Sequence, residues 1–74
     1  MDSKVVLNYI LMKVDEQNFD RAFHYSKNVL PKKLGSLGNS KSVRLLQRSL
    51  KKCVNNEDVE LNKCLAKKFL VRLF

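Results

Sequence analysis

Residues 40–54, SKSVRLLQRSLKKCV, constrain the fold more than any other part of the chain. Placed at about 100° per residue, Lys41, Arg44, Arg48, Lys51 and Lys52 fall within one arc roughly 100° wide. Val43, Leu46, Leu50, Cys53 and Val54 fall within an opposite arc of similar width. Only a helix separates the two sets, and its apolar side must dock on a core. Leu45 lies at the edge of the basic arc, out of place on a solvated face. The cationic side is either the solvated back of this helix or a surface that meets something negative.

The flanking segments read as helices too. Ser3 is expected to cap a first helix running to about Val14, in which only Asn8 and Lys13 interrupt the apolar run after Lys4. Such a helix is apolar nearly all round and must be buried on more than one side; its Val, Ile and Tyr content makes a strand the competing reading. After the connection DEQN, the residues Phe19, Ala22, Phe23, Ser26, Val29 and Leu30 recur at helical spacing, and Pro31 is expected to end that helix. PKKLGSLGN, residues 31–39, reads as a loop with turns at Gly35 and Gly38, tacked down by Leu34 and Leu37. Asn39 or Ser40 caps the third helix. NNED then breaks it from a fourth, capped near Asn56, whose Val59, Leu61, Leu65, Ala66, Phe69, Leu70 and Leu73 fill one broad face. The expectation is a single all-α domain over residues 1–74, a small bundle of about four helices with short connections.

Size and composition bound what such a bundle does. A domain of 74 residues buries a smaller fraction of its surface than a larger one. The first helix has no polar face, and the segment FLVRLF leaves Val71 and Phe74 outside the main stripe of the fourth, so a homodimer is expected to cover both. Fifteen Lys and Arg against seven Asp and Glu give a net charge of +8, a balance that favours an acidic partner. The charge is also segregated: Arg21 to Asn56 contains nine cations and no acid. The acids cluster near helix starts, where they complement the helix dipole, and none lies at i±4 to neutralise the middle stripe.

Several function classes are set aside by what the sequence lacks. Its single histidine, His24, stands beside Phe23 and Tyr25 with no cysteine or serine placed as a nucleophilic partner. There is no glycine-rich phosphate loop, no HExxH and no close carboxylate pair, so no catalysis, cofactor or metal is expected. Cys53 and Cys64 have no metal-ligand spacing and are expected to be reduced and packed in the core. The apolar run VVLNYILM is too short to span a bilayer and no small-residue cleavage site follows it. With Met1 as a natural start, a cytoplasmic or nuclear protein is expected.

Binding remains, and nucleic acid is the first candidate partner. The stripe of Lys41, Arg44, Arg48, Lys51 and Lys52, joined by Lys32 and Lys33, would meet phosphates, with Arg44 and Arg48 offering bidentate contacts and Gln47 and Ser40 adding hydrogen bonds. The stripe contains no aromatic residue for base stacking, so a duplex backbone of RNA or DNA is favoured over a single strand. The alternative is a helical interaction module whose basic face docks an acidic protein partner. The run from Ser40 to Phe74, with its basic helix, its NNED break and its LAKKFLVRLF close, resembles the helical N-terminal domain of the transcription elongation factor TFIIS. That resemblance covers the second half of the chain, lacks the tryptophan usual near the end of that domain, and implies contacts with proteins of the transcription machinery. A membrane-surface helix ranks last, because the apolar face of the third helix has no large aromatic anchor and is needed for the core.

Overall fold

A computed structural model describes residues 2–74. Among them there are five α-helices and no strand: α1 (Ser3–Asp15), α2 (Phe19–Asn28), α3 (Leu30–Leu34), α4 (Lys41–Val54) and α5 (Val59–Leu73), with a 3₁₀ turn over Gly35–Asn39. The four long helices form a ring in which α1 packs on α2, α2 on α4, α4 on α5, and α5 back on α1. Leu7 and Ile10 of α1, Leu46 and Leu50 of α4 and Leu70 of α5 are completely buried at its centre, and Leu30 of α3 closes one end.

The helix count is five rather than four because Pro31 does not end a helix; it lies in the first turn of one. Proline is tolerated there, since its missing N–H would have no intrahelical partner anyway. Residues 31–39 are therefore not a loop but a short helix running into a 3₁₀ turn. Gly38 is buried in that turn, and a Cβ added to it would lie 2.5 Å from the carbonyl oxygen of Pro31. Gly35, at φ 61° and ψ −121°, takes a backbone conformation that glycine adopts without strain and so joins the two pieces.

The caps follow the same physical rules at shifted positions. Asp2, not Ser3, caps α1 by accepting from the Val5 N–H at 3.0 Å. Asn18 caps α2, and Ser40 caps α4 by accepting from the Val43 N–H at 3.4 Å. Asn56 does not cap α5: it is left-handed at φ 59°, and the capping position falls to Asp58, whose side chain makes no cap bond. The α4–α5 turn is held instead from inside the helix. Asn62, almost fully buried, donates Nδ2 to the carbonyls of both Glu57 and Asp58 at 3.0 Å.

Two expectations about burial are revised. Val6, Leu7, Ile10 and Val14 bury one side of α1, whereas Val5 and Met12 on its outer side are 49% and 45% exposed. A single chain covers α1 on one broad face only. Cys53 is buried as expected, but Cys64 is exposed, because it falls on the outward face of α5, one turn from Lys67 and Lys68.

Candidate nucleic-acid interface

α4 stands diagonally across the ring from α1, flanked by α2 on one side and α5 on the other, so one strip of its surface is left to solvent. Val43, Leu46, Ser49, Leu50 and Cys53 turn inward. Lys41, Arg44, Arg48 and Lys51 are exposed and Lys52 is half-buried, which places all five on the outer strip. Among the described residues the ion pairs are Lys13–Glu16, at the C-terminal end of α1, and Asp15–Lys67, between α1 and α5, and none involves the strip. The first turn of α4 carries Lys41 and no acid, although the helix dipole there is already positive.

Lys32 and Lys33 are exposed on α3, which packs on α1, α2 and the 3₁₀ turn; the turn in its own right packs on α4. These two lysines lie at the end of the bundle where α4 begins, rather than on its strip.

Contacts with α2 add a cation that the linear sequence did not single out. The Lys51 ammonium lies 5.2 Å from the centroid of the Phe23 ring, and the Lys27 ammonium lies 5.7 Å from the same centroid. A half-buried aromatic ring thus joins two exposed lysines from neighbouring helices. Gln47, read from sequence as a hydrogen-bond donor to a ligand, is occupied: its Nε2 donates to the backbone carbonyl of Ser26 at 2.9 Å. The Ser40 hydroxyl oxygen is likewise engaged as the α4 cap.

On the other flank α4 and α5 part to form an open groove of about 210 Å³, lined by Leu45, Arg48, Ser49, Lys52, Asn62, Leu65 and Phe69. Leu45 is thereby explained, since it is half-buried against the core and forms one wall of this groove. Phe69 sets a second aromatic ring beside the cationic strip. Its place there was hidden in the sequence, because 21 residues separate it from Arg48 and only the packing of α5 on α4 joins them.

Comparison with protein-family models, curated proteins and solved structures finds no match. Among the described residues no helix is long and apolar enough to cross a membrane.

Proposed function

We propose that the protein is a non-catalytic nucleic-acid-binding protein whose α4 strip holds the phosphate backbone of duplex RNA or DNA. The observation that carries this reading is the uncompensated strip itself. Lys41, Arg44, Arg48, Lys51 and Lys52 share one solvent face, and none of them is in an ion pair among the described residues. Stability alone would not put Lys41 in the first turn of a helix without an acid to offset it. Arg44 and Arg48, one turn apart, offer planar forks for phosphate oxygens, and the lysines act as point charges. Lys27 widens the surface onto α2, and Lys32 and Lys33 extend it past the start of α4.

A homodimer belongs to the same reading. Met12 is one turn from Asp15 on α1, and Val71 is one turn from Lys67 on α5; the Asp15–Lys67 ion pair therefore puts these exposed apolar side chains on the same side of the α1/α5 pair. Val5 and Phe74, about half exposed, extend the patch. Pairing two copies there would cover it and leave both α4 strips open, since α4 is diagonal to α1.

The test is the Arg44→Ala/Arg48→Ala double variant. Circular dichroism and stability should stay near those of the parent, because exposed substitutions shift stability by about half a kcal/mol or less. Affinity for duplex should fall at every sequence, and the slope of log K against log salt should shrink by about 0.9 for each phosphate that is no longer neutralised. An unchanged slope in a well-folded double variant would overturn the reading and turn the strip over to an acidic protein partner.

A further inference from the structure

The α4/α5 groove contains two polar atoms that the fold leaves without a partner. Ser49 and Asn62 are each 4% exposed, and both line the groove. The two hydrogen bonds of Asn62 Nδ2 to the Glu57 and Asp58 carbonyls fix the amide and leave Oδ1 as its free end. Neither that oxygen nor the Ser49 hydroxyl forms a hydrogen bond among the described residues. Yet no fully buried side-chain nitrogen or oxygen there lacks a partner, so both atoms keep some contact with solvent, and both residues line the groove. A residue with an immobilised amide and one with a hydroxyl thus share the lining with the apolar Leu45, Leu65 and Phe69 and the cations Arg48 and Lys52.

We propose that this groove receives one unpaired base of a nucleic acid whose phosphates rest on Arg48 and Lys52. The inference rests on the nucleic-acid reading above and narrows its ligand from any duplex to one carrying an unstacked nucleotide, such as a bulge. The walls, the Asn62 acceptor and the two cations each find a counterpart in a nucleotide. The flat base faces suit walls of leucine and phenylalanine. Each base carries an N–H on its Watson–Crick edge for the Asn62 oxygen, and the anion is attached to the same unit. The volume of about 210 Å³ is several times the roughly 30 Å³ share of a liquid water and leaves room for a ring system. An aliphatic ligand would leave the Asn62 acceptor unmatched, and an inorganic anion would leave the walls empty. An acidic peptide would have to supply its apolar group and its carboxylates from separate residues. Arg48 belongs both to the groove and to the α4 strip, so a duplex laid along the strip would bring an extruded base to the groove mouth.

The experiment compares three labelled duplexes of one sequence by fluorescence anisotropy at physiological salt: uninterrupted, with a single-nucleotide bulge, and with an abasic bulge that keeps the phosphate but removes the base. The bulged duplex should bind roughly tenfold more tightly than the other two, and 2-aminopurine placed in the bulge should change its emission on binding. Leu45→Gln should bring the bulged duplex down to the level of the uninterrupted one while leaving the latter unchanged. Should that variant fail to fold, the base-against-abasic comparison on the parent protein decides alone. Equal affinity for base and abasic bulges overturns this inference and leaves the phosphate-backbone reading standing. Failure to bind any of the three overturns both, and binding under those conditions of an Asp/Glu-rich peptide with a central Leu-Phe would assign the groove to a protein.

Discussion

The side-chain amide of Gln47 on α4 donates to the backbone carbonyl of Ser26 on α2 across 2.9 Å. It ties the basic helix to its neighbour at a level where Ser26 is fully buried and donates its own hydroxyl to the Phe23 carbonyl. Gln47→Ala should therefore lower stability by about 1 kcal/mol in urea denaturation. Duplex affinity, measured on the folded variant, should remain within about twofold, a change of roughly 0.4 kcal/mol. A large loss of affinity with unchanged stability would return Gln47 to the ligand surface.

Lys41 opposes the α4 dipole, so its charge has opposite effects on folding and on binding. Lys41→Glu should stabilise the fold by about 0.3–1 kcal/mol at low salt, because an acid in the first turn complements the positive helix end. The same variant should bind duplex more weakly and with a shallower salt slope. Thermal denaturation beside a binding titration checks both signs, and a variant that is less stable and binds equally well would refute the assignment.

The two thiols should separate chemically. Burial pushes the Cys53 thiol above its ordinary value, with the Lys63 charge opposing, while Cys64 is exposed. Iodoacetamide at mildly alkaline pH should label Cys64 first, leaving Cys53 protected until the bundle opens. Cys64→Ser should be nearly neutral, and Cys53→Ser should cost about 1–3 kcal/mol. The sign of the pH effect follows from the raised value. The unfolded thiol ionises first, so the contribution of Cys53 is intact below the unfolded pKa and is lost as pH rises through the folded one. Cys53→Ala should remove that part of the alkaline fall in stability.

Sedimentation tests the pairing of copies. The parent chain of 8.6 kDa should run at about twice that mass at micromolar concentration. Val71→Glu, at a position 66% exposed in the single chain, should return it to monomer without unfolding it. A parent that already sediments as a monomer would rule out the dimer and leave the strip untouched.

How much of this was legible in the sequence depended on whether one helix sufficed to show it. The outer strip of α4 was legible, because a single amphipathic period sorts Lys41, Arg44 and Arg48 from Leu46 and Leu50. α3 was not, since five residues hold too little of a period to announce a helix and Pro31 reads as a stop wherever its first-turn role is unseen. The groove was hidden for a different reason: Leu45 looks anomalous on the α4 wheel alone, and only α5, by supplying Leu65, Phe69 and Asn62, turns that anomaly into a wall. Cys64 and Cys53 look equivalent in the linear sequence, and the rotation of α5 against α1 and α4 decides which one meets solvent.

The close approach of Gly38 to Pro31 bears on which mutations this gene can tolerate. Every missense change in a glycine codon adds at least a Cβ, and at position 38 that atom would meet a backbone carbonyl at 2.5 Å, which cannot rotate aside as a side-chain tip would. Gly35, three residues earlier, has nothing within 4 Å, but its backbone at φ 61° and ψ −121° lies outside the left-handed helical region that Asn and Asp enter, so conformation rather than space selects glycine there. In a saturation scan of the whole chain, both positions should therefore reject replacements, position 35 through its backbone conformation and position 38 through the carbonyl that a Cβ would meet. The most intolerant codons of this gene would then encode its smallest residue, in a turn that contributes no side chain to the groove.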